Sequence, residues 1–306
     1  MKYEYWLASS VSLTDRKKRL LREEYGDARA VYYIEEIQLE FLNFLENKDV
    51  EAILRAKKAK DVDKEWERLI GQNIRFVPYF SKEYPGRLAQ ISDGPYALYV
   101  KGCLPKEENL SAAIVGARKC TPYGEQTALE YGELLAANGI QIISGMARGI
   151  DGAGQRGALN GRGTTYGVLG CGVDICYPRE HIGLYMDIQA AGGVLSEQPP
   201  GSSPLPVYFP ARNRIISGLA DVVLVMEARE RSGSLITADL ALEQGKDVYA
   251  LPGPVTSLLS QGCHQLIRQG AGILISPQEF LMDLGIGDGK AEKKAGQKSD
   301  KIEKVL

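Results

Sequence analysis

Eight basic residues carry most of the chemistry this sequence could do: Arg118, Lys119, Arg148, Arg179, Arg212, Arg214, Arg229 and Arg231. Each falls in or beside a loop that follows a short apolar run, or at the start of a helical pattern. A guanidinium is a planar, two-pronged donor that matches phosphate oxygens. Backbone amides at glycine-rich loops and helix starts attract the same anions. Three stretches combine both features: Gly116-Ala117-Arg118-Lys119, Gly145-Met146-Ala147-Arg148-Gly149 and Arg231-Ser232-Gly233-Ser234. A fourth, Tyr208-Phe209-Pro210-Ala211-Arg212-Asn213-Arg214, adds an aromatic ring and an amide to two arginines. Unpaired bases stack on such rings at about 1–3 kcal/mol each. The pattern points to a phosphorylated ligand, with two readings left open. Phe209 either stacks or joins the core, and Arg212 either forks a phosphate or pairs with Glu197 or Glu227.

Other chemistries find less support. Two histidines, His181 and His264, supply neither a nucleophile–base–acid set nor a histidine-rich metal site. A dinucleotide fingerprint needs G-x-G-x-x-G, which Gly116, Arg118 and Thr121 break. Glu197 and Glu227 both stand at the ends of apolar runs, but arginines around them would lower their pKa values, which suits bracing better than acid catalysis. Asp151 is expected to cap a helix and brace a neighbouring arginine. Arg179 opens a helix, where a cation opposes the dipole, so a ligand is the better reason for it. No catalytic residue, metal or cofactor is expected.

The elements that must hold these loops follow from the apolar runs. From residue 111 to 284, runs of four to eight apolar residues alternate with helical patterns, the signature of buried parallel strands joined by crossover helices. Ligands bind such sheets at the carboxyl ends of the strands. Thr121 caps a helix that Pro122 opens and Gly139 stops, and a later helix runs from residue 232 to Gly245. Residues 74–110, punctuated by proline and aromatics, predict short strands on the sheet edge. Before them, apolar spacing at Val31, Ile34, Ile37, Phe41, Leu42 and Leu45 predicts one helix over 31–45, and 52–70 predicts another ended by Gly71. This region reads as a packing or partner module. The fold class is α/β: a mostly parallel sheet with helices on both faces, preceded by a small helical domain. The expected boundaries are 1–72, 73–285 and 286–306, the last read as a disordered linker whose following module would be absent.

Composition fits this division. The chain has 306 residues, 44% of them hydrophobic, and a net charge of −2, which excludes a uniformly basic nucleic-acid binder. Residues 111–285 carry 12 Lys/Arg against 16 Asp/Glu, a net of −4, so the basic loops make this domain polarised. Five cysteines without a C-x-x-C pair read as free thiols of a reducing compartment. There is no apolar span of membrane length, and the expected location is the cytoplasm.

Taken in order, several segments resemble the DNA-processing protein A family, called DprA or Smf. They are Val115-Gly116-Ala117-Arg118 with Thr121-Pro122-Tyr123-Gly124, Ser144-Gly145-Met146-Ala147-Arg148-Gly149-Ile150-Asp151, Tyr177-Pro178-Arg179-Glu180, and Ala211-Arg212-Asn213-Arg214-Ile215-Ile216-Ser217-Gly218-Leu219. Arg231-Ser232-Gly233-Ser234-Leu235-Ile236-Thr237-Ala238, Leu251-Pro252-Gly253 and Gly262-Cys263-His264-Gln265-Leu266-Ile267 continue the match. The resemblance implies an extended Rossmann-like domain, preceded by a sterile-alpha-motif-like domain and followed in the family by a winged-helix-like one. It implies binding of single-stranded DNA without sequence preference, homodimerisation with contacts over residues 257–275, and loading of RecA during natural transformation, with single-strand-binding protein as a further partner. The family's basic pocket and aromatic fall on Arg118, Arg179 and Phe209. The expected DNA contacts are Arg118, Lys119, Arg148, Arg179, Phe209, Arg212, Asn213, Arg214, Ser232, Gly233 and Ser234. The alternative, a nucleotide hydrolase resembling phosphoribohydrolases, wants Pro-Gly-Gly-x-Gly-Thr where residues 232–237 read Ser-Gly-Ser-Leu-Ile-Thr.

Overall fold

The computed structural model describes residues 1–9, 13–59 and 61–286, so residues 287–306 of the expected linker lie outside the described residues. The apolar runs become β1 (Arg75–Pro78), β2 (Ala97–Gly102), β3 (Ser111–Val115), β4 (Gln141–Ser144), β5 (Thr165–Val168), β6 (Gly193–Ser196), β7 (Val222–Val225), β8 (Asp247–Ala250) and β9 (Gly272–Ile273). They form one sheet in the order β1-β2-β6-β5-β4-β3-β7-β8-β9. Every pair from β6 to β9 is parallel, and β1 and β2 add an antiparallel edge.

Side chains of successive strand residues go to opposite faces, and the core divides accordingly. Ala113 and Val115 of β3, with Val223 and Val225 of β7, pack on one face against Ile215, Ala238 and Leu266. These belong to helices Tyr208–Leu219, Gly233–Glu243 and Gln261–Arg268. Ala112 and Ile114, with Val222 and Leu224, pack on the other face against Tyr131, Ala153 and Phe280, from helices Pro122–Ala137, Ile150–Asn160 and Pro277–Asp283. The sheet is therefore mostly parallel and covered on both sides, a Rossmann-like arrangement. Chain order runs outward from β3 through β4, β5 and β6, whereas β7 pairs with the opposite edge of β3. The loops after β3 and β7 diverge at this switch point and leave a crevice at the carboxyl ends of the strands.

The amino-terminal region differs from the expected two helices. The stretch predicted as one helix over 31–45 is broken into Ala28–Tyr33 and Glu36–Glu40. Ile34 is extended (ψ 145°), and Glu35 caps the next turn in a reciprocal box with Gln38. Polar capping beats apolar periodicity here, leaving Ile37 and Phe41 57% and 78% exposed. The second expected helix is likewise two, Asn47–Ala59 and Val62–Gly71. Asp61 starts the latter by accepting from the amides of Asp63 and Lys64. These helices enclose their own core of Trp6, Leu7, Leu21, Val31 and Ile53, which reaches Tyr96 and Ala97 at the start of β2. There the Tyr96 hydroxyl donates to the buried Glu4 carboxylate at 2.5 Å. Among the described residues no helix is long and apolar enough to cross a membrane.

Candidate nucleic-acid interface

The loop after β3 carries Arg118 and Lys119, both exposed. Its far end is fixed at Thr121, whose hydroxyl accepts from the Gly124 amide at 3.2 Å and so caps helix Pro122–Ala137, as the sequence predicts. Its near end is gripped by the loop after β4. The Ile150 amide donates to the Ala117 carbonyl at 3.3 Å, and Gly149 has φ 70°, with room for no side chain, since a Cβ would stand 2.4 Å from the Ala117 oxygen.

Beneath the crevice, Asp151 is buried and accepts from the amides of Gly145 and Ala147 at 3.1 and 3.4 Å. Burial raises its carboxyl pKa, against the opposing pull of Arg212 and the backbone amides. Arg212 is 5% exposed. One guanidinium nitrogen donates to the Gly145 carbonyl at 3.0 Å and to the Val168 carbonyl, and burial brings its pKa down to about 10. The expected cap is not made: helix Ile150–Asn160 starts at Gly149 without a side-chain cap, and Asp151, in its first turn, ties down the preceding loop and acts on Arg212 through charge, with no ion pair between them among the described residues. Arg212 Nη1 is turned inward onto the ends of β4 and β5, while the same side chain also lines the cavity above, its guanidinium 6.0 Å from the centre of the Phe209 ring.

As an expected phosphate contact Arg214 is corrected. It grips the Glu197 carboxylate with two nitrogens and the Asp93 carbonyl with a third. Glu197 and Glu227 do not form an acid pair, because Glu227 is occupied by Thr121. Both carboxylates brace loops.

A cavity of about 450 Å³ opens above this layer, and Arg118, Phe209, Asn213, Ser232, Gly233 and Ser234 line it. Phe209 is half-buried, 5.4 Å from the ring of Tyr177, and the Arg118 guanidinium stands over its face at 5.7 Å. The Asn213 amide donates to the Gly233 carbonyl at 3.1 Å. Ser232 and Ser234 hydroxyls bond to each other at 2.7 Å. Helix Gly233–Glu243 therefore begins at the cavity without a side-chain cap on its first amides. Lys119, Arg148 and Arg179 lie outside the lining and are exposed. Arg148 is held by an ion pair with Glu180. Arg118, Lys119, Arg179, Arg229 and Arg231 make no ion pair among the described residues. Tyr177 and Thr237 also line the cavity. Sequence reasoning placed Tyr177 in a motif but gave it no role, although an aromatic next to a loop arginine is the signal that selected Phe209. Among the described residues no cluster of three His, Cys, Asp or Glu side chains is placed to hold a metal.

A wider comparison fits this crevice. The family described as DNA recombination-mediator protein A matches residues 75–285. The chain is similar to Protein Smf of Escherichia coli K12, 45% identical over 216 residues that make up 70% of this chain and 58% of that protein. It therefore spans little more than half the length of that relative. It is 44% identical to DNA processing protein DprA of Streptococcus pneumoniae over 200 residues, 65% of this chain and 71% of that one. The X-ray structure of DNA processing protein A from Streptococcus pneumoniae superposes with a TM-score of 0.79 at 36% identity, over 92% of this chain and 97% of that chain. DNA processing protein A from Helicobacter pylori, whose structure is described as giving insights into its single-stranded DNA binding mode, superposes at 0.62 with 30% identity, over 69% of this chain and 95% of that chain. With the family matched across the whole sheet and the crevice, this chain belongs to the DNA recombination-mediator protein A family.

Proposed function

We propose that this protein binds single-stranded DNA along the crevice, without sequence preference, and that it acts by binding rather than by catalysis, helping to load RecA during natural transformation. The observation that carries the reading is the Arg118 guanidinium 5.7 Å over the half-buried Phe209 ring, at the mouth of a cavity that an uncapped helix start also lines. That arrangement offers a stacking face and phosphate donors side by side, and neither reads base identity. The unpaired Lys119 and Arg179 extend the donors along the rim. The strand binding described for the Helicobacter pylori relative supports the same assignment. Homodimerisation through residues 257–275 is supported by the two-residue edge strand β9 and by the exposure of Leu258, Ile273 and Ile275 within that stretch. The location that fits this role is the cytoplasm.

The test is titration of labelled oligo-dT with wild type and with the Arg118→Ala/Arg179→Ala double variant at several salt concentrations. Weakened binding and a shallower salt dependence are expected, and undiminished binding overturns the assignment. Faster RecA filament growth on DNA covered by single-strand-binding protein would support loading. Unchanged growth with intact DNA binding would leave a binding protein only.

A further inference from the structure

Glu227 stands just beyond β7 and is 4% exposed. Its Oε2 accepts from the Thr121 amide at 2.8 Å, and its Oε1 from the Thr121 hydroxyl at 2.6 Å. No cation pairs with it among the described residues. A carboxylate kept out of water without a counter-cation is costly unless its hydrogen bonds are well made. Here both oxygens are spent on one residue, at the start of the sixteen-residue helix Pro122–Ala137, whose dipole favours an anion at that point. Gly124 belongs to the same fit, since a Cβ there would lie 2.5 Å from the Glu227 carboxyl carbon.

The loop between β3 and this helix is therefore held at both ends. Gly149 and Ile150 press on the carbonyls of Ala117 and Arg118 from one side, and Glu227 fixes Thr121 from the other. Between Ala117 and Thr121 lie only Arg118, Lys119 and Cys120. The Arg118 side chain makes no ion pair that would aim it, so its direction over Phe209 follows from where its backbone is pinned.

We infer that Glu227 is a positioning residue for DNA binding: through Thr121 it fixes the loop that aims Arg118, without touching the strand itself. This rests on the reading that Arg118 contacts DNA. The clamp spans the switch point of the sheet, joining the end of β7 to the loop after β3, so a shift there would be felt at the crevice.

A double-mutant cycle tests it. Oligo-dT affinity is measured for wild type, Glu227→Gln, Arg118→Ala and the double variant across a salt series, with circular dichroism and denaturation midpoints as folding controls. Glu227→Gln keeps the shape but puts a donor where an acceptor is needed. It is expected to weaken binding about 10-fold, and by much less when Arg118 is already alanine, as coupled neighbours do. A role confined to stability lowers the midpoint and changes affinity by the same factor in both backgrounds, or not at all, and that result overturns the inference. If Arg118→Ala alone leaves affinity unchanged, the interface reading fails instead. Should Glu227→Gln fail to fold, Thr121→Val carries the same cycle, with Thr121→Ser expected to restore wild-type affinity.

Discussion

The guanidinium of Arg214 lies flat against the carboxylate of Glu197, Nη1 3.0 Å from Oε1 and Nη2 2.5 Å from Oε2. Both side chains are 12% exposed. Burial works against the charged guanidinium, but Glu197, Asp93 and Asp15 outweigh it and hold its pKa above the ordinary value. The pair ties helix Tyr208–Leu219 to the end of β6, while Asp93 and Asp15 bring in the connector and the amino-terminal helices. Removing one partner strands the other charge in a dry place, at a cost of about 3–5 kcal/mol. Arg214→Ala should therefore lower the denaturation midpoint strongly. Oligo-dT affinity and its salt dependence should be unchanged in the folded fraction, because four of the five N–H groups of this arginine are already taken by Glu197, Ala211 and Asp93 and its charge is matched by carboxylates. A shallower salt dependence in the folded variant would show that it contacts the strand after all.

Backbone-to-backbone approach sets a second prediction. Helices Pro122–Ala137 and Ile150–Asn160 pack so closely that a Cβ on Gly132 would stand 2.1 Å from the Gly154 carbonyl oxygen, and one on Gly157 2.1 Å from that of Leu129. Backbone cannot yield as a side chain can. Gly157→Ala is expected to cost about 1–3 kcal/mol or more, and to drag the Gly149–Ile150 clamp away from the Arg118 loop. Gly183 provides the control: nothing lies within 4 Å of its Cβ position and its φ is ordinary. There Gly→Ala should be neutral or stabilising by about 0.4–1 kcal/mol, read from the same denaturation curves.

The contrast between these residues explains what the sequence discloses. Strands β3 to β8 are legible because burial on two faces leaves mostly apolar residues, the polar ones (Ser111, Gln141, Ser144, Thr165, Ser196, Asp247) standing at strand ends. The Thr121-Pro122 helix start is legible because a cap is a local event. The fates of the arginines are not local. Arg212 and Arg214 sit two residues apart on one helix and so point in different directions. Their partners are 67 residues away at Gly145, 44 at Val168 and 17 at Glu197. Residue type announces a guanidinium, but only the crossing of distant loops decides whether it turns inward or to solvent. The same holds for the helix crossing, where glycines with no turn to make are required by a neighbour's backbone.

Arg148 is tethered on the rim, and the tether is removable. It pairs with Glu180, the two side chains 63% and 49% exposed. The hydrogen bond from Arg148 is the main reason the Glu180 carboxyl titrates below its usual range. A depressed carboxyl pKa means the pair is intact above the ordinary value of 4.5 and is lost only as pH falls through the depressed one. Across pH 5–8 the tether is thus constant. Glu180→Gln should release Arg148, raise oligo-dT affinity about 2- to 5-fold at low salt and steepen the salt dependence. The gain should not vary with pH over that interval. A gain confined to the upper end of the range would point to some other titrating group.

Phe209 and Arg118 contribute to one mouth by different physics, which a salt series can separate. The ring leans on Gly170, where a Cβ would come within 3.0 Å of Cδ1, and is flanked by Tyr177 at 5.4 Å. Leucine can keep apolar contact there but has no π-face. Phe209→Leu is expected to weaken oligo-dT binding by about 1–3 kcal/mol, with the slope of log affinity against log salt unchanged, since no charge is removed. Arg118→Ala should lower that slope by about 0.7, the value for one phosphate contact on a single strand. Phe209→Trp, retaining an aromatic face, should recover much of the affinity that leucine loses. If Phe209→Leu binds as wild type does while Arg118→Ala is impaired, the ring serves only to support Tyr177 and the guanidinium above it, and the strand is held by its phosphates alone.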